Sequence, residues 1–298
     1  MNARQRSDPR RGHRQQKDSG KPAASPTIES NGEPITEPEV ERVEERSRPR
    51  TPIIYEVVRR LGEEEMDRPA VSLWWSGVAA GLSISFSLLS QAILNLHLPD
   101  TPWRPLVSSF GYSVGFVMVV LARQQLFTEN TITVVLPVMA CFTLENLSRL
   151  ARMWGIVLAA NLAGTLVAAS FCTLTPVIGP ELRESMLDIS RGVLEYGWIT
   201  LFFRGISAGF LIATMVWLIP GAASAQFYVV VLMTYLISVG SFVHIIAGSM
   251  EAFMLVVNGK AALWRIISDF LAPVLLGNIA GGTALFAVIS HAQVMKEI

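Results

Sequence analysis

Charge is scarce over most of this chain. Of its 24 Lys and Arg and 24 Asp and Glu, 14 of each fall within residues 1 to 68, leaving ten of each for the other 230 positions. A soluble domain carries about a quarter of its residues as charged side chains, so residues 69 to 298 do not read as one. The formal net charge is zero, and no nucleic-acid partner is expected. Only two cysteines occur, Cys141 and Cys172, in apolar surroundings without a CxxC or Cys/His cluster. That excludes a disulfide framework and a thiolate metal site. HExxH is absent, GxSxG occurs only inside apolar spans, as Gly111-Tyr112-Ser113-Val114-Gly115 and Gly205-Ile206-Ser207-Ala208-Gly209, and not at the strand-to-helix turn that motif needs, and beyond residue 100 the only histidines are His244 and His291, too few groups for an intramembrane enzyme. No apolar core follows the N-terminal charges, so no cleavable signal peptide is expected and the first span does the targeting.

What is abundant is apolar sequence, 51% of the chain. Residues 1 to 52, rich in Arg, Glu, Pro and Ser, cannot offset their ordering entropy and are expected to be a disordered cytoplasmic tail. Residues 53 to 68 place Ile54, Val57, Val58 and Leu61 on one face of an amphipathic helix, lying along the membrane or against the bundle. Residues 69 to 298 make an all-α domain of six spans: Val71 to Leu94, a split span over Gly111 to Ala122 and Ile132 to Phe142, Met153 to Leu174, Trp198 to Ile219, Gln226 to Val257 broken near His244, and Leu263 to Ile289. Glu181 to Tyr196 reads as a charged surface helix. All seven Trp fall near span ends, as an interfacial aromatic belt predicts. Six spans put both termini on one side, and Arg59, Arg60 and Arg68 place that side in the cytoplasm.

Two interruptions organise the domain. In span two, Arg123 to Thr131 separates apolar runs that are each too short for a bilayer, which needs about 20 residues. In span five, Ser241 to Glu251 carries an imidazole and a carboxylate around a helix-weakening Ala247-Gly248-Ser249 step. Buried ionisable groups are costly in lipid and therefore face a cavity or pathway. A shift of 117 positions superposes Asn161-Leu162-Ala163-Gly164 on Asn278-Ile279-Ala280-Gly281 and Phe127 on His244. Three spans per half make the repeats inverted, with the pathway between them.

A small anion crossing such a bundle loses its hydration unless charge is compensated or a proton neutralises it. His244 can serve as neutral relay or as protonated counter-charge. Thr128, Asn130 and Thr131 stand where the second half of span two begins, to cap it or to face the permeant species. Glu129 and Glu251 are either structural partners or transport groups. Arg123 is a snorkelling residue or the rim of an inner vestibule; Arg204 reads as a structural anchor.

The runs Leu126-Phe127-Thr128-Glu129-Asn130-Thr131 and Phe242-Val243-His244-Ile245-Ile246-Ala247-Gly248-Ser249, with the repeated Asn-x-Ala-Gly element, resemble the formate/nitrite transporter family over about residues 70 to 290. The charged N-terminal extension and Trp74-Trp75 resemble a bacterial inner-membrane subgroup. The resemblance implies an aquaporin-like protomer in a homopentamer, each protomer with its own pore. Formate, nitrite, hydrosulfide or related monovalent anions would pass, proton-linked through a central pore histidine, and no cofactor is implied. His244 matches the central pore histidine and Thr128 the threonine facing it. Tyr112, Phe116 and Phe127, with Ile212 and Ile237 opposite, fall at the apolar constrictions, and Arg191 approximates the basic vestibule residue. Gly209 and Gly248 stand where typical members carry Asn. The alternative is a non-conducting scaffold or regulator working through the tail.

Overall fold

In a computed structural model the described residues are Glu29–Ser30, Glu33–Pro34 and 49–296. The first two segments pair as a short antiparallel ladder. The remainder of 1–48, where a disordered tail is expected, lies outside the described residues.

From residue 49 onward the chain is helical. An N-terminal helix α1 (Thr51–Asp67) precedes α2 (Ala70–His97). Then come α3 (Arg104–Leu121), α4 (Asn130–Ala140), α5 (Leu144–Leu174), α6 (Pro180–Arg191) and α7 (Trp198–Gly221). The last three are α8 (Gln226–Val239), α9 (Ile245–Val257) and α10 (Leu263–Val294). Helices α2, α3, α5, α7 and α10 are each long and apolar enough to cross a membrane; α4, α8 and α9 are shorter apolar pieces. Pairing α3 with α4 and α8 with α9 gives six spans with the second and fifth broken, an aquaporin-like fold.

Several boundaries differ from hydropathy. Helix α3 starts at Arg104, seven residues before the apolar run, because Pro105 in a first helical turn gives up only an amide that lacks a partner there. Helix α5 starts at Leu144, where Thr143 Oγ1 accepts the Asn146 N–H at 3.1 Å, so polar turns carry the helix beyond its apolar part. Five Trp are exposed at span ends, but Trp154 and Trp217 turn inward: Trp154 donates to the Asn130 carbonyl at 3.1 Å and Trp217 packs edge-on against Tyr55.

The breaks are built alike. Arg123 and Ser241 take left-handed φ values of 51° and 52°, a conformation that costs a non-glycine residue about 1 kcal/mol or more. Each ends its helix with a wide turn, Gln124 N–H to Val119 O at 3.0 Å and Phe242 N–H to Ile237 O at 2.9 Å. An asparagine from the following span then satisfies the exposed backbone. Asn161 accepts the Phe127 N–H (2.9 Å) and donates to the Gly77 (2.8 Å) and Gln125 (2.9 Å) carbonyls. Asn278 accepts the Ile245 N–H (2.8 Å) and donates to the Gly205 and Val243 carbonyls, both at 2.9 Å. This pairing corrects the register within the breaks: Phe127 is the counterpart of Ile245, a shift of 118, while the asparagines keep 117, so the second half has one residue fewer between break and staple.

Position 209 is a helix crossing, since a Cβ there would meet the Asn278 Cα at 2.8 Å; no side chain of any kind fits at that point.

Helix α1 docks by Tyr55, Val58, Gly62 and Met66, all buried, while Ile53, Val57 and Leu61 remain exposed. The docking face is thus one position offset from the expected stripe. Tyr55 bonds His291 Nδ1 at 2.7 Å, and Gly62 lies against the Thr133 carbonyl, where a Cβ would collide. Glu65 accepts from Thr133 Oγ1 (2.8 Å) and Gln125 Nε2 (3.3 Å). Burial raises the Glu65 carboxyl above its usual range, against the lowering effect of those two donors. Glu56, held down to about 2 by hydrogen bonds from Arg59 and Arg60, stays ionised at ordinary pH and adds no pH dependence there. A carboxyl whose bound-state pKa is raised favours docking while protonated, so docking weakens as pH rises through that raised value. Amide exchange in α1, corrected for intrinsic rate, is expected to be slower at acid than at alkaline pH, and Gly62→Ala should lose the protection at both.

Candidate functional site

The two breaks meet at a buried pair. His244 is the residue before α9, with extended backbone (φ −98°, ψ 129°), and its Nδ1 accepts the Ala247 N–H at 3.2 Å. An amide can only donate, so Nδ1 must accept, and the neutral ring carries its proton on Nε2. That nitrogen lies 2.6 Å from Thr128 Oγ1 and donates to it. The hydroxyl hydrogen of Thr128 remains free to donate elsewhere. Both residues are buried.

Above the pair, the Phe116 ring meets the His244 ring edge-on at 4.9 Å and Tyr112 lies 5.2 Å from Phe116. Beyond them opens a cavity of about 220 Å³, lined among others by Gln91, Tyr112, Arg204, His244, Gly248 and Glu251. It is bounded by the segment after α6 and the start of α7, and α1 takes no part in it. Arg204 stands at its wall, donating to the Ser241 carbonyl at 3.0 Å with its guanidinium 3.7 Å from the Tyr196 ring centre. A Cβ at Gly248 would meet the tip of the Phe270 ring at 2.7 Å. The absent side chain lets that ring, carried on a π-helical stretch of α10, close the cavity wall.

On the other side of the throat the groups differ. Phe127 is buried edge-on against Trp154 at 5.7 Å. Asn130 receives no role toward His244: its Nδ2 donates to Gln125 Oε1 at 3.2 Å. Thr131 donates to the Thr128 carbonyl at 2.7 Å, and α4 has no side-chain cap bond at its start. The half-helix that is capped is α9, by the histidine. Glu129 Oε1 is buried without a hydrogen-bond partner among the described residues. Ile212 and Ile237 are fully buried and lie outside the cavity lining. Arg123 is exposed at the left-handed turn.

Arg191 does not reach the cavity. It is paired on the surface with Glu184 at 2.6 Å and with Asp188, and the cation at the cavity is Arg204. Arg191 was offered by the family resemblance as an approximate match to the basic vestibule residue, whereas the available signal for Arg204 was a lone charge near the start of an otherwise uncharged span. Gln125 and Glu65 bond to one another beside α4; Gln125 was legible only as one polar residue of the span-two interruption, and nothing in the sequence pointed from it to Glu65.

Residues 52–292 match the family model described as "Formate/nitrite transporter". The chain is 43% identical over 259 residues to "Inner membrane protein YfdC" of Escherichia coli, covering 87% of this chain and 84% of that one. Among solved structures it resembles "Pentameric formate channel with formate bound" at a TM-score of 0.64 and 21% identity, over 76% of this chain and 98% of that one. It also resembles "FNT family ion channel" at 0.68 and 19%, over 82% and 98%.

Proposed function

This chain belongs to the formate/nitrite transporter family, and from that premise we propose that it passes small monovalent anions such as formate or nitrite across the bacterial inner membrane, together with a proton. The reading includes a homopentamer with a pathway in each protomer, and both termini in the cytoplasm, so that the cavity above His244 opens to the periplasm. The observation that carries it is the Thr128–His244 contact at the junction of the two broken spans, directly below that cavity.

The chemistry follows from what an anion loses there. Stripping a carboxylate of water in an apolar constriction costs several kcal/mol unless donors replace the hydration. Phe116 and Phe127 supply the apolar walls. Thr128 supplies a hydroxyl hydrogen, held in place because the histidine occupies its oxygen. Helices α4 and α9 start one to two residues from this pair, and helix starts carry partial positive charge from unpaired amides. In this role His244 stays neutral and orients Thr128.

Purified protein in liposomes under an inward formate or nitrite gradient should show anion uptake that accelerates on acidification. Absence of uptake for every small monovalent anion would instead favour a non-conducting scaffold working through the N-terminal segment.

A further inference from the structure

The proton that travels with the anion needs a source, and His244 is poorly arranged to be one. Its Nδ1 lone pair holds the Ala247 amide and its Nε2 proton is directed at Thr128. Protonating the ring would set an N–H against an N–H and uncap α9.

A second acid faces the same cavity. Glu251 lies seven residues after His244 on α9, two helical turns on and on the same face, about 10 Å along the axis. Both line the cavity. No hydrogen bond or ion pair engages the Glu251 carboxyl among the described residues, unlike Glu56 on α1 and Glu184 and Asp188 on α6, which sit in ion pairs. The other charged or titratable groups lining the cavity are Tyr112 from α3, Arg204 from α7, and Glu195 and Tyr196 from the segment between α6 and α7. Arg204 is occupied by Ser241 O and the Tyr196 ring. A fixed negative charge in this position would repel the anion that Arg204 attracts. A protonated carboxyl would not.

Resting on the transport reading above, we propose that Glu251 is the proton donor of the cavity. An anion drawn in by Arg204 accepts the carboxyl proton: the O–H bond of Glu251 breaks, an O–H bond forms on the substrate oxygen, and the charge passes to Glu251. The neutral acid crosses the Phe116–His244 throat and releases its proton to water beyond it. Glu251 is reprotonated by water of the cavity, so one proton and one anion cross together and no redox step is involved.

The test is formate uptake into liposomes between about pH 5 and about pH 8, with an internal pH dye reporting co-transported protons. Wild type should accelerate on acidification and carry protons with formate. Glu251→Gln should lose the acid stimulation and the proton signal, and Glu251→Asp should restore both with a displaced profile. A glutamine variant with the wild-type profile and proton signal overturns the assignment while leaving anion transport intact. No uptake by the wild type overturns the transport reading itself. If the glutamine variant fails to assemble on gel filtration, the aspartate variant decides: an undisplaced profile overturns the proposal.

Discussion

Asn278→Leu is expected to prevent the chain from forming a stable, assembled membrane protein. Leucine matches asparagine in approximate size, so the effect is not a cavity. It strips partners from the Ile245 amide and the Gly205 and Val243 carbonyls, which lie in the membrane where no water replaces them. The Gly205 carbonyl, inside α7, keeps its helical bond, but the Ile245 amide and the Val243 carbonyl are orphaned, and each orphaned buried group costs about 1–3 kcal/mol, roughly 2–6 kcal/mol together, a large share of the whole folding free energy of a domain, about 5–15 kcal/mol. Asn161→Leu should behave similarly at the other break. The measurement is the midpoint of thermal aggregation in detergent together with yield of the monodisperse species. A leucine variant with wild-type yield and midpoint would mean the staples are not needed to hold the breaks open.

His244→Ala is expected to reduce anion uptake by tenfold or more while the protein remains folded. Loss of the cap on α9 costs about 1 kcal/mol, which the fold tolerates. Loss of the Nε2 donor lets the Thr128 hydroxyl turn away from the substrate in the throat, and a buried substrate oxygen left without its donor costs about 2 kcal/mol, or about 30-fold in rate. His244→Asn separates the two roles. Its short amide can still cap α9 but does not span the distance to Thr128, so stability should return toward wild type while uptake stays low. Wild-type uptake in His244→Asn would show that the ring matters only as a cap. Thr128→Val should match the alanine variant in uptake without its loss of cap.

Much of this was legible in the chain. The scarcity of charge beyond residue 68 and the runs of apolar residues define the spans, because a helix crossing lipid satisfies its backbone within its own segment and carries apolar side chains, both of which are local in sequence. The breaks at Arg123 and Ser241 were visible for the same reason, as polar residues interrupting runs too short to cross alone. The Asn161 and Asn278 repeat was readable, but not what it does. An asparagine in an apolar helix announces a partner without naming it, and the partners are backbone groups 34 and 33 residues away. Helix α1 shows the same limit: amphipathic periodicity found the helix, yet packing chose Tyr55, Val58 and Gly62 over Val57 and Leu61, since Gly62 alone lets it approach the Thr133 carbonyl.

The amino-acid order by itself determined six spans, two interruptions and two related halves, all consequences of local hydropathy and backbone satisfaction. Only the tertiary structure decided that Nε2 is the histidine nitrogen that meets Thr128 Oγ1, at 2.6 Å, that Arg204 and not Arg191 stands at the cavity, and that Glu251 shares that cavity without a partner among the described residues. Those outcomes depend on how two half-helices rotate and slide against their neighbours, and a shift of a single residue, such as the difference between 117 and 118, exchanges which side chain enters the pathway.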